Sequence, residues 1–348
     1  MHYINVKKAL LLSAAVVVAI GALLFFWPHQ KTALPAFTPE NLASVPFWES
    51  RIDDGDARAA YEELAREGAK QSYEQQHRYA HAFGEALYNS AGVSGIAVCD
   101  ARFSFGCYHA FLGAAIADKG LGSVNALNEA CFEALPGTSL SCQHGIGHGI
   151  LTDMGYDFTH IKQALDMCAA LPHSDPIGGC YGGVFMEYDS RTMWGDSAVS
   201  REGDKNKPFE VCEQLDATYG PACAFWTPQW WSQAFFGGGD NKVEHMKEMG
   251  AWCEGTLFGK RFTRDCFEGI GNIVTFTAGF DPDRARALCE ATSQEGQHRL
   301  WCLRLAANHF GIDVSPEAGL KVCSGLTSSA KEICEAYAAN KANIAQPL

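Results

Sequence analysis

The sequence predicts an all-α protein: a solenoid of about eight αα-hairpin repeats, seven of them closed by a disulfide within the hairpin, preceded by one N-terminal transmembrane helix. Three observations carry that expectation. The 14 cysteines fall into seven close pairs. Each pair lies between stretches with apolar residues three and four apart, as a buried helix face requires. Residues 9–27, ALLLSAAVVVAIGALLFFW, are an uncharged and almost wholly apolar run.

Taken in chain order, residues 1–8 form a short N-terminus that carries Lys7 and Lys8. The 19 residues of 9–27 suffice to cross a hydrocarbon core as a helix. A signal peptide has a shorter apolar stretch and a small-x-small cleavage site. Leu34-Pro35-Ala36 is a poor one, so a retained anchor is favoured over a cleaved signal. Lys7 and Lys8 precede the run and only Lys31 follows closely, which puts the N-terminus in the cytoplasm and the rest outside it. The expected location is a single-pass protein of the cell membrane with its bulk in the periplasm. A Pro-punctuated linker spans 28–50, and the stapled solenoid spans 51–348.

That compartment permits disulfides to form and persist. The order of the cysteines pairs Cys99 with Cys107, Cys131 with Cys142, Cys168 with Cys180, Cys212 with Cys223, Cys253 with Cys266, Cys289 with Cys302 and Cys323 with Cys334. First members follow one another at 32, 37, 44, 41, 36 and 34 residues, a period of helical-hairpin arrays. The first cysteine ends an amphipathic stretch such as FTHIKQALDMCAAL. Turn formers follow, and the second cysteine opens another apolar stretch such as CYGGVFMEY. We refer to the two stretches as the A and B helices. No C-x-x-C and no C-x-x-C-H occurs, so thioredoxin-like exchange, a ribbon-type zinc site and covalent c-type haem lack their signatures. A first hairpin without cysteines is expected over 56–68 and 72–90, and the polar stretch 189–208 reads as a surface insertion.

CDARFSFGCYHAFLG, residues 99–113, resembles the disulfide-linked hairpin of cysteine-rich Sel-like repeats, relatives of the tetratricopeptide repeats. In those repeats C-D-x6-C joins helix A to helix B and a glycine follows in helix B. The resemblance covers about fifteen residues. It implies an α-solenoid and no particular activity.

Setting the B helices in register on their cysteine exposes a pattern. Cys142 is followed at plus two and plus six by His144 and His148, and Cys107 by His109 at plus two. The first hairpin, with Gln75 in the cysteine place, has His77 and His81 at the same two offsets. The fourth has Gly182 and Met186, and the sixth has Glu268 and Asn272. Histidines four apart lie one turn above each other and can converge on one ion. Fewer than one such pair is expected by chance in this composition, so two at equivalent repeat positions carry weight. Successive B helices lie side by side in a solenoid, so these five histidines are expected to share a pocket. Glu85 continues the first stripe at plus eight from His77, and Glu187 and Asp153 are the acids nearest the motif. Gly145, Gly147 and Gly149 leave room for neighbouring backbones to approach. His298 and His309 read as core residues, and His2, His29, His160, His173 and His245 as tail, linker or surface.

Chemistry is bounded as much by what is missing. H-E-x-x-H is absent, so the general base of a zinc peptidase is absent too. There is no G-x-S-x-G elbow. A histidine-lined helical site suits copper, zinc or iron, with haem iron not excluded. Beyond residue 31 the chain has 24 Lys and Arg against 40 Asp and Glu, a charge that repels polyanions, so nucleic acid is not expected as a partner. Two functions remain open. One is a membrane-anchored envelope protein with a metal site between the first three hairpins, extending to a metal-dependent redox enzyme. The other is a scaffold that binds a protein or peptide in the periplasm, for which Trp226, Trp230 and Trp231 would supply an aromatic surface.

Overall fold

A computed structural model describes residues 34–339, apart from 101, 136–138, 194–200 and 238–239. The expected membrane span over 9–27 lies outside the described residues. No described helix is long and apolar enough to cross a membrane. Among the described residues the chain is helical throughout and has no strand.

Two short helices come first, α1 (Pro39–Leu42) and α2 (Val45–Asp54). Residues 39–50, read from the sequence as linker, are therefore part of the fold. The reason is a pair of aromatics: Phe47 and Trp48 are buried, the Trp48 ring packs on Phe83 at 5.4 Å, and its indole N–H donates to the Leu42 carbonyl at 2.9 Å.

The hairpins follow. The first is α3 (Ala57–Gly68) with α4 (Tyr73–Ala91), opened by a Ser72–Gln75 capping box. In the second, a 3-10 segment (Gly92–Val98) replaces helix A before α5 (Gly106–Lys119). Next come α6 (Val124–Ala134) with α7 (Ser139–Met154), and α8 (Phe158–Ala169) with α9 (Gly179–Met193). The fifth has a single turn, α10 (Glu210–Glu213), before α11 (Gly220–Ala234). The sixth is α12 (Lys242–Gly255), a short α13 (Leu257–Arg261) and α14 (Thr263–Thr277). The last two are α15 (Pro282–Ala291) with α16 (Gly296–Asp313), and α17 (Pro316–Val322) with α18 (Ser328–Ala338). All seven disulfides join sequential partners, with Cα atoms 5.5 to 5.8 Å apart, within the range an unforced bridge requires.

The B helices α4, α5, α7, α9, α11, α14, α16 and α18 each pack on the next. Composition explains this layering. A helices such as α3 bury one face, Ala60, Tyr61, Leu64 and Gly68, whereas α7 buries residues all round its axis, which a helix does only when neighbours cover every side. Tyr73, at the start of α4, rests its ring on Phe276 and Phe280 at the end of the sixth hairpin, 5.0 and 5.1 Å away.

Candidate metal centre

Close approach of the B helices comes first, because it brings the rings together. A Cβ on Gly147 of α7 would lie 2.0 Å from the Cys180 carbonyl oxygen of α9, and a Cβ on Gly183 of α9 would lie 1.9 Å from the His144 carbonyl oxygen. No side chain other than hydrogen fits at either position. The two glycines face each other across one seam, so α7 and α9 meet backbone to backbone around the histidine motif. Gly145 does the same toward α5, with the Tyr108 carbonyl 2.6 Å from where its Cβ would be.

Five imidazoles from three consecutive B helices then gather. On α4, His77 and His81 bring their Nε2 atoms to 3.0 Å. On α7, His144 and His148 repeat the arrangement at 3.1 Å. His109 of α5 sits between the pairs, its ring centre 5.3 Å from His77, 5.4 Å from His81, 5.2 Å from His144 and 4.3 Å from His148. One nitrogen from each ring lies within 4.8 Å of the others in two trios, His77–His81–His109 and His109–His144–His148. His109 belongs to both. Nitrogens this close can converge on an ion.

The outer contacts decide which nitrogen of each ring faces inward. Nδ1 of His77 lies 2.7 Å from the Phe103 carbonyl, an acceptor only, so this nitrogen carries the proton and Nε2 turns a lone pair toward the centre. Nδ1 of His148 lies 2.8 Å from Glu187 Oε2, and Tyr156 donates to Oε1 of the same carboxylate at 2.7 Å. The carboxylate fixes the His148 ring in the same sense, as acids behind metal-binding histidines do. His144 Nε2 is 3.4 Å from the thioether sulfur of Met186. Without an ion, His81 can donate to His77 on the same helix. His109, 5% exposed, has no partner for either ring nitrogen. An unsatisfied buried polar group costs about 1–3 kcal/mol, and this side chain has two.

Burial holds the imidazole of His77 below its ordinary pKa and those of His81, His109 and His144 well below it, with the neighbouring histidines adding to the effect. The rings are therefore neutral at pH 7, the form that binds metals. His77, His81 and His144 remain partly exposed, which gives an ion a way in.

The carbonyl behind His77 is held by a strained loop. Phe103, Ser104 and Phe105 all have positive φ, 58°, 49° and 62°, a left-handed turn that costs roughly 1–2 kcal/mol per residue. The turn is clamped by the Cys99–Cys107 bridge, by Arg102 on Glu62 at 2.7 Å, and by Tyr61 donating to Asp100 at 2.9 Å. Strain of this kind persists where the surroundings over-determine it.

Other expectations are corrected. Glu85 is exposed and joins neither trio, because each step of four residues overshoots a full helical turn by about 40° and two steps carry the side chain off the stripe. Asp153 is also exposed. Trp226, Trp230 and Trp231 are buried, 8%, 4% and 0% exposed, so they offer no aromatic binding surface. The indoles of Trp226 and Trp231 donate to the carbonyls of Ile177 and Pro208, each at 2.9 Å, while Arg201 from the insertion stacks on Trp230 at 3.8 Å. Pro228 lies inside the helix that carries them. Tyr156 and the Phe103 carbonyl have no sequence signal, since both reach the site from loops. At plus two of the sixth and seventh B helices, Glu268 and Arg304 form a buried ion pair, Nε to Oε1 2.7 Å. The histidine row thus continues as a pair of opposite charges.

Comparison of the chain with protein-family models, with curated proteins and with solved structures finds no match.

Proposed function

We propose that this protein is a transition-metal-binding protein of the cell envelope, an α-solenoid anchored by residues 9–27, whose ion is held by His77, His81, His109, His144 and His148. The carrying observation is His109: its ring lies within both trios, buried, with neither nitrogen hydrogen-bonded. A neutral imidazole with no protein partner amid four others is ready to ligate. The Phe103 carbonyl and the Glu187–Tyr156 pair serve as outer supports that keep Nε2 of His77 and His148 unprotonated. Copper, zinc and iron all suit imidazole, and the thioether of Met186 beside His144 favours copper among them. The disulfides and the N-terminal apolar run support the envelope location.

Elemental analysis of the purified, unreduced full-length protein tests this. Near one or two equivalents of a transition metal per chain is expected, reduced in the single alanine variants of the five histidines. A metal-free wild type that also takes up none on addition would overturn the reading, as would five variants that all keep the full metal content.

A further inference from the structure

The five histidines are arranged for two ions rather than one. We propose that His109 bridges two metal ions through its two ring nitrogens, one ion completed by His77 and His81 and the other by His144 and His148. This rests on the metal-binding reading and specifies its nuclearity.

Several observations favour a bridge over one central ion. The helices α4 and α7 flank α5, and the two histidine pairs do not fall within a single ligand group; only His109 is common to both. A single ion taking one pair and His109 would leave the other pair without a function and one His109 nitrogen still unpartnered. Bridging satisfies both nitrogens. Each pair is already spaced as two ligands on one ion would be, at 3.0 and 3.1 Å between nitrogens, given metal–nitrogen bonds of about 2.0–2.1 Å. The two ends also differ. The His77 end is backed by a neutral carbonyl, and the His148 end by a carboxylate with a thioether beside it. The negative charge of Glu187 helps offset that of two cations placed close together.

Proton balance is simple. A neutral imidazole has one lone pair and one N–H, so binding the second ion expels that proton to water and leaves an imidazolate between the metals. No electron moves.

Copper(II) is the probe, since two copper(II) ions joined by one imidazolate couple magnetically. Chelator-stripped full-length protein is titrated with copper(II), kept oxidised with ferricyanide, and read by copper content and by integrated electron-paramagnetic-resonance intensity. Two copper ions per chain are expected, with low-temperature intensity well below that of two isolated ions. His81→Ala should leave one ion per chain with the full intensity of an isolated copper(II), and His144→Ala should do the same from the other end. Circular dichroism checks that each variant keeps its helices. One ion per wild-type chain, or two with undiminished intensity, overturns the bridge while leaving the metal-binding reading intact. No bound ion overturns both.

Discussion

Gly147→Ala isolates the packing on which the site depends. Its new methyl would sit 2.0 Å from the Cys180 carbonyl oxygen, 2.8 Å from the Val184 amide nitrogen and 2.9 Å from the Gly183 Cα. All three are backbone atoms, so no rotamer change relieves the clash and α7 and α9 must part by more than an ångström. Overpacking of a tight core costs about 1–3 kcal/mol, and a rigid seam puts this case at the upper end. Alanine regains about 1 kcal/mol of helix propensity over glycine, leaving a net loss of about 2 kcal/mol. The melting temperature should fall by roughly 3 °C for a chain of this size. Parting the helices also draws His148 away from Glu187, so metal affinity should fall with stability. Gly113→Ala is the internal control: it occupies the plus-six position of α5, and a Cβ there meets nothing within 4 Å. It should stabilise the protein by up to about 1 kcal/mol. The assay is urea unfolding of the unreduced protein followed by helical circular dichroism. If both alanines move the midpoint in the same direction, the backbone-contact argument is wrong.

Four other outcomes are expected. In metal-free protein, His77, His81, His109 and His144 have folded pKa values depressed by burial, so the unfolded chain binds more protons below the ordinary value of about 6.5. Stability should be level above that pH and fall as pH drops below it, by about 1.4 kcal/mol per unit for each histidine in play; urea midpoints between pH 7.5 and 5.5 that stay flat or rise would contradict this. Glu187→Gln keeps an acceptor for His148 but removes the charge, and should weaken metal affinity about 10–100-fold in a competition titration, whereas Glu85→Gln, exposed, should leave it unchanged. Replacing Cys131 and Cys142 together by serine opens a bridge that spans 11 residues and should cost about 3 kcal/mol, read as a lower urea midpoint. Trp230→Ala should lower thermal stability by about 3–5 kcal/mol as a core truncation while metal content stays at the wild-type value; loss of metal would place Trp230 in the site after all.

The cysteines make this chain readable because each bridge marks where a B helix begins, and so supplies a common zero for the seven stapled repeats, with Gln75 standing in for it in the first. Offsets of two and six then name His77, His81, His109, His144 and His148 without any coordinates. Features set by one helix and its register are legible in this way. Features set by a loop are not: the left-handed turn that aims the Phe103 carbonyl at His77 lies in RFSF, where no glycine announces a positive φ. Tyr156 follows a helix end and reaches Glu187 across a turn. Glu85 failed because a spacing of four was extended one step too far. The tryptophans failed because Arg201 and Pro208, in the insertion, fold back over them, and nothing in the insertion's polar composition signals that return.

The same register also supplies an internal comparison within the molecule. At plus two in the sixth and seventh hairpins stand Glu268 and Arg304, both nearly inaccessible and 2.7 Å apart. A buried charge is tolerated there because its opposite is beside it. At plus two in the first three hairpins stand His77, His109 and His144, three bases with a single acid, Glu187, which engages His148. Protonation does not complete this half of the row, since burial and mutual repulsion hold the rings neutral. Hydrogen bonding does not complete it either, since His109 finds no donor or acceptor. A cation that accepts imidazole lone pairs would complete the row in the first three hairpins as Arg304 completes it for Glu268.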